Sequence, residues 1–288
     1  MTAPVLSIRD LKFSVGRGSD EKHILRGINL DLFPGQIHGL AGESGSGKTM
    51  TALATLGLLP QNSTLSGSIM LGDTNLVGMS DRAFTRVRGN DIAMVFQDPS
   101  SSLHPQLTVG KQLTDHVRRH LGLSKAKARA HAIEQLDRVR VPNPADALGR
   151  YPHQFSGGQR QRIAIAVALA CGPRVLLADE PTTALDVTVQ AGILHLVRDL
   201  ATEDNLAVLF VTHDLGVMSA IADQVSVMRY GEMVESGPRA QVFSSPQHEY
   251  TRTLLSALPG APLPLDPAAV AAALGEAVSP TLGEEPYV

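Results

Sequence analysis

Eight consecutive residues constrain this 288-residue chain more than any others: Gly42-Glu43-Ser44-Gly45-Ser46-Gly47-Lys48-Thr49. They fit the pattern G-x-x-x-x-G-K-[ST]. The apolar residues 37–41 ahead of them read as a short buried strand, and residues 50–59, opening at Met50, as a helix. A strand, a glycine-rich turn and a helix are the setting that this pattern requires. The glycines let successive backbone N–H groups turn inward on an anion, and the helix start adds unpaired donors and the positive end of its dipole. Lys48 is expected to reach β- and γ-phosphates, and Thr49 to offer its hydroxyl to Mg²⁺. The loop implies a ligand with a phosphate tail.

Composition narrows the partners. A charged fraction of 18%, a hydrophobic fraction of 43% and a net charge of −3 are those of an ordinary globular chain long enough to bury a substantial core. They argue against a nucleic-acid partner, which usually needs a basic patch. The lone Cys171 follows an apolar run and is expected to be a buried small hydrophobe. No apolar run approaches the roughly 20 residues needed to cross a bilayer, and the opening residues lack the pattern of a signal peptide. The expected place is the cytosol, with any membrane reached through a partner.

Alternation over residues 5–15 and 23–33, with turns between and after, predicts two antiparallel strands leading into the phosphate-loop strand. Residues 67–75 read as a further short strand, 81–88 as a helix and 92–96 as a compact strand. From about residue 100 to 172 the character changes to a largely helical insert, with helices at 109–121 and 126–139 and a Pro-rich break at 141–144. Residues 159–170 continue as a helix. Strands at 175–178, 206–211 and 224–228 then alternate with helices at 189–201 and 213–221. Such alternation implies a largely parallel sheet covered on both faces. Beyond residue 258 a Pro/Ala-rich stretch without Lys or Arg reads as a loosely ordered tail.

Two more clusters carry chemistry. The apolar run ending in Asp179-Glu180 delivers two carboxylates to the sheet's C-terminal edge, where ligands of open α/β sheets sit. Asp179 is placed to hold Mg²⁺ through its waters and Glu180 to take a proton from an attacking water. A strand end capped by solvated acids is the plainer alternative. Ser156-Gly157-Gly158-Gln159 opens a helix and makes a second anion site, or else an ordinary glycine-rich turn with a serine cap. One nucleotide pocket seldom needs two such sites unless the second serves a neighbouring molecule.

Phe155-Ser156-Gly157-Gly158-Gln159-Arg160-Gln161-Arg162 resembles the signature loop of ATP-binding cassette ATPases. Residues 176–181 with Thr183-Ala184-Leu185-Asp186 resemble their Walker B and D-loop, Val211-Thr212-His213-Asp214 their switch histidine, and Val95-Phe96-Gln97-Asp98-Pro99 their Q-loop. The resemblance covers residues 5–258 with every motif in family order. It implies an α/β P-loop NTPase with a RecA-like core, an N-terminal antiparallel β subdomain and an inserted α-helical subdomain bearing the signature. It further implies a head-to-tail dimer closing on two ATP molecules. Lys48 and Thr49 of one subunit would hold phosphates and Mg²⁺, with Ser156 and Gly158 of the other covering the γ-phosphate. Gln97 would ligate Mg²⁺ and sense the γ-phosphate, His213 would contact it, and Asp186 would meet the opposite phosphate loop.

GESGSGKT, IAMVFQDP, ADEPTTALDVT and YTRTLLSALP are similar to the peptide/nickel/opine importer ATPases. That likeness implies a second ATPase subunit, identical or paralogous, two integral-membrane permeases and an extracytoplasmic binding protein. The chain would then sit on the cytoplasmic face of the membrane. Di- or oligopeptides are the implied cargo, with nickel or metal chelates as the alternative. Ribosome- or DNA-acting cassette proteins usually carry a second cassette or a long coiled coil, and neither is present here. Three departures stand out. Val15 occupies the place of the adenine-stacking aromatic, with Phe13 two residues earlier on the same strand face as a substitute or as a core residue. No cysteine follows the YTRTLL segment, so no iron–sulfur cluster is expected there. Leu103-His104-Pro105 stands where Leu-Asn-Pro is common, placing His104 either at the membrane-subunit contact or in a solvated loop.

Overall fold

A computed structural model describes residues 3–98, 102–183 and 185–256. β1 (Leu6–Val15) and β2 (Lys22–Leu32) pair antiparallel, Leu6 opposite Leu32 and Phe13 opposite Leu25. β3 (Ile37–Ala41) is buried at every residue and runs through the glycine-rich turn into α1 (Lys48–Thr55). β4 (Ser63–Leu71), β5 (Thr74–Asn75) and α2 (Asp81–Val87) lead to β6 (Ile92–Val95). Among the described residues the helices α3 (Val109–Leu121), α4 (Lys125–Arg138), the short α5 (Pro144–Ala147) and α6 (Gly157–Leu169) follow. Thr108 and Ser124 cap α3 and α4, each accepting a backbone N–H of the first turn. The chain then alternates through β7 (Val175–Asp179), α7 (Val187–Glu203), β8 (Ala207–Val211), α8 (Leu215–Ile221) and β9 (Gln224–Arg229). It closes with β10 (Glu232–Pro238), α9 (Arg239–Ser244) and α10 (Glu249–Ser256).

Two sheets result. The antiparallel sheet has the order β2-β1-β4-β5, and the second has the order β10-β9-β3-β8-β7-β6. In the second, β9, β3, β8, β7 and β6 are mutually parallel and β10 is an antiparallel edge. β7 and β8 read Val-Leu-Leu-Ala-Asp and Ala-Val-Leu-Phe-Val and are buried throughout, as strands covered on both faces must be. Their two-residue period divides the interior. Val175, Leu177, Leu209 and Val211 pack toward the antiparallel sheet, while Leu176, Ala178, Val208 and Phe210 pack toward the helices. The parallel strands thus present their C-terminal ends to the turns that follow β3, β6, β7 and β8.

The α/β class and the insertion of helices between β6 and β7 agree with the sequence reading; three details do not. The expected strand at 67–75 is two strands, because Gly72 at φ +56° turns the chain after Leu71 and Thr74 pairs back on it. β4 also starts earlier, at Ser63, where pairing with Val15 continues the ladder. β1 and β2 pair antiparallel in a sheet of their own with β4 and β5, as the expected N-terminal β subdomain. The helix expected to start at His213 starts at Leu215, since Asp214 caps it by accepting the Val217 N–H at 3.0 Å. The predicted tail beyond residue 258 lies outside the described residues.

Candidate functional site

β3 ends at Ala41 and α1 begins at Lys48, so residues 42–47 form the turn between a buried strand and a helix N-terminus. Gly42, Gly45 and Gly47 hold φ of +147°, +80° and +107°. At two of them space as well as torsion demands glycine. A Cβ on Gly42 would lie 2.3 Å from the Met228 carbonyl oxygen, and one on Gly47 2.8 Å from Leu25 Cδ2. The loop is therefore pressed against β2 and the end of β9. Lys48 Nζ donates to the carbonyls of Gly42 (2.7 Å) and Glu43 (2.8 Å). Burial lowers the Lys48 pKa, opposed by the charges of Glu180, Asp179 and Glu43. Ser46 Oγ is buried without a protein partner, and Ser46 is not among the residues that line the cleft beside the loop.

The loop forms one wall of a cleft of about 720 Å³. Gly42, Glu43, Ser44, Gly45, Gly47, Lys48, Thr49 and Met50 line it, together with Gln97, Glu180 and His213. Asp179, the last residue of β7, accepts from Thr49 Oγ1 at 3.1 Å. Burial pushes its carboxyl up, and the Thr49 bond offsets part of that. Regular extension would send Asp179 and Glu180 to opposite faces. Glu180 instead adopts φ +47°, an uncommon torsion for a residue with a side chain, and both carboxylates stay beside the loop. The Glu180 carboxylate is a hub. Oε2 accepts from Gln97 Nε2 (2.8 Å) and Thr183 Oγ1 (3.0 Å), and Oε1 lies 2.7 Å from His213 Nδ1. Gln97 follows β6 and His213 follows β8, so all these groups sit at the C-terminal edge of the parallel strands. The Thr49 hydroxyl, the Asp179 carboxylate and the Gln97 side-chain carbonyl are hard oxygen donors of the kind that suits Mg²⁺.

The remaining sequence candidates fall elsewhere. Ser156 caps α6 in a reciprocal box: its Oγ accepts the Gln159 N–H (3.3 Å) and Gln159 Oε1 accepts the Ser156 N–H (3.1 Å). A Cβ on Gly158 would stand 2.4 Å from Val189 Cγ1, so α6 and α7 approach too closely for a side chain there. Ser156, Gly157, Gly158 and Gln159 do not line the phosphate-loop cleft. Asp186 caps α7 by accepting the Val189 N–H at 2.9 Å. Phe13 is a correction. It is 1% exposed, packed in the core between the two sheets, and absent from the cleft wall, so its ring is closed to adenine. His104 is exposed and donates its backbone N–H to Gln112 Oε1. Cys171 is buried, with burial pushing its thiol up to about 11.

Apolar cleft residues escaped the sequence reading. Ile24, Leu215 and Leu254 line the cleft beside the glycine-rich turn. Ile24 is part of the β2 alternation and so looks like any core residue. Leu254 belongs to α10, whose Tyr250/Leu254 spacing of four marks one helix face.

With this geometry established, the class follows: a P-loop ATPase fold with a second, outlying helix that is capped by Ser156 and opens on two glycines. Residues 25–183 match the ABC transporter family, and the chain belongs to it. It is 45% identical over 257 residues to the dipeptide transport ATP-binding protein DppD of Bacillus subtilis, covering 88% of this chain and 77% of that protein. A putative peptide import ATP-binding protein of Brucella abortus is 47% identical over 259 residues, covering 90% and 78%. The glutathione import ATP-binding protein GsiA of Salmonella typhimurium is 47% identical over 262 residues, covering 88% of this chain and 42% of that one. Among solved structures, the ATP-binding cassette MJ0796, in a dimeric post-hydrolysis state bound to ADP and Pi, superposes with a TM-score of 0.71. It has 29% identity, with 81% of this chain and 98% of that one covered. CbiO1 of Clostridium perfringens, part of the ABC transporter complex cbiONQ, gives 0.72 at 27% identity, covering 89% and 96%. As a member of this family the chain is a nucleotide-binding ATPase. Among the described residues no helix is long and apolar enough to cross a membrane.

Proposed function

We propose that the chain is the ATP-hydrolysing subunit of an importer for di- or oligopeptides, held at the cytoplasmic face of the membrane by two permease partners. Residues 5–258 form its cassette, and residues 100–172 form the signature-bearing helical subdomain. The observation that carries the chemical part is the Glu180 carboxylate, held by Gln97, Thr183 and His213 beside the phosphate loop. The peptide part rests on relatives named for dipeptide, peptide and glutathione transport.

The loop residues 42–49 bind the phosphates of ATP through backbone N–H groups and Lys48. Thr49, Asp179 and Gln97 hold Mg²⁺, which when bound neutralises charge on the phosphate oxygens. Glu180 accepts the proton of the attacking water as that water's oxygen bonds to the γ-phosphorus and the bond to the β-bridging oxygen breaks. Gln97 and His213, both already on Glu180, orient the base, and His213 also meets the γ-phosphate. Ser156 and Gly158 of a second cassette subunit cover that phosphate, and Asp186 faces the partner's loop. The test is co-purification from membranes, then ATPase measurement in the reconstituted complex with its binding protein. Recovery with two permeases and stimulation by peptides is the expected result. Stimulation by nickel or a metal chelate moves the cargo to that class, and association with ribosomes or DNA overturns transport.

A further inference from the structure

The C-terminal helix reaches the phosphate loop. Glu235 of β10 accepts the backbone N–H groups of Gln247 (2.8 Å) and His248 (3.0 Å), just ahead of α10, placing a carboxylate at the helix start. So anchored, α10 buries Tyr250, Thr251 and Leu255. The Tyr250 ring lies under the Arg229 guanidinium at 4.6 Å, and its hydroxyl oxygen accepts the Glu43 backbone N–H at 3.2 Å. Leu254, one turn on, lines the nucleotide cleft. The Gly42–Glu43 peptide is therefore gripped at both ends. Its carbonyl accepts from Lys48 and its N–H is taken by Tyr250. That peptide needs holding, because Gly42 sits at φ +147°, where no side chain limits its rotation.

We propose that Tyr250 is a positioning residue: its hydroxyl fixes the Gly42–Glu43 peptide and so preorganises the phosphate loop for nucleotide. This deepens the reading of residues 42–49 as the ATP site and rests on it. Burial holds the phenol above its ordinary range, so it stays neutral at physiological pH. Tyr250→Phe removes one oxygen and keeps the ring, the Arg229 contact and the packing. A loop organised equally in ground and transition states changes binding without changing turnover. In the full chain, Tyr250→Phe is expected to raise Kd for MgATP and MgADP by about 2–10-fold, the range of one neutral hydrogen bond. In the assembled complex KM is expected to rise in parallel while kcat stays within about twofold. An unchanged Kd, even with a lowered melting temperature, overturns the proposal, as does a fall in kcat at constant KM. Wild-type chain that binds no ATP overturns the loop reading itself. In the wild type the Glu43 amide is expected to exchange slowly with solvent; exchange at the rate of an unbonded loop amide counts against the bond to Tyr250.

Discussion

Lys48 is 6% exposed and sits among three acids, yet two of its ammonium hydrogens go to the loop's own carbonyls. An ammonium offers three donors, so the third remains for phosphate. Charge-assisted hydrogen bonds are worth about 1.5–3 kcal/mol each. Lys48→Ala is therefore expected to weaken ATP binding by at least about 10-fold in isothermal titration, and an unchanged Kd contradicts its role. Phe13 makes the opposite prediction. Phe13→Ala is expected to cost about 3–5 kcal/mol of unfolding free energy while leaving the ATP Kd unchanged. Tighter coupling of that residue to nucleotide would show as a raised Kd at equal stability. Motif residues such as Lys48 were legible in the sequence because their chemistry depends on local spacing. Phe13 was not, because a period of two gives a strand's faces without telling which is open to ligand.

At the scale of elements, β3 carries a polar residue that no motif announced. His38 is 8% exposed, its Nε2 lies 2.9 Å from Ser226 Oγ, and that hydroxyl meets Ser236 Oγ at 2.8 Å. β3, β9 and β10 are thus joined by a polar relay that runs from the buried His38 and Ser226 out to the exposed Ser236. Burial lowers the His38 pKa from 6.5 to about 4, against a smaller opposing effect of Asp31. Between those values the unfolded chain binds the proton and the folded chain does not, so stability falls as pH drops through that window. His38→Gln keeps a partner for Ser226 but does not titrate. Between pH 7 and 4.5, wild type is expected to lose about 2–3 kcal/mol more than this variant in urea melts; parallel losses contradict a neutral buried imidazole. Among the parallel strands, β6, β7 and β8 were readable as apolar runs. The β4–β5 turn and α10 were not, since Gly72 sits inside an otherwise continuous pattern and α10's apolar face was read only as a motif.

For the whole molecule, the order of motifs identified the family, and the presence of two anion loops for one pocket already implied in the sequence that the second serves a neighbouring subunit. Ser156–Gln159 cap α6 away from the cleft wall, and Gly158 is fixed against Val189, so the chain's own cleft lacks the second anion loop. Isolated chain is accordingly expected to hydrolyse ATP slowly, with the rate per chain rising once partner cassette and permeases are added; a rate independent of partners contradicts a shared site. The most direct measurement is Glu180→Gln in the assembled complex. The carboxamide keeps the shape of the hub but cannot take a proton. Turnover is expected to fall by about 10²–10⁴-fold while the ATP Kd stays within about threefold. Hydrolysis by Glu180→Gln at the wild-type rate contradicts the assignment of Glu180 as the base.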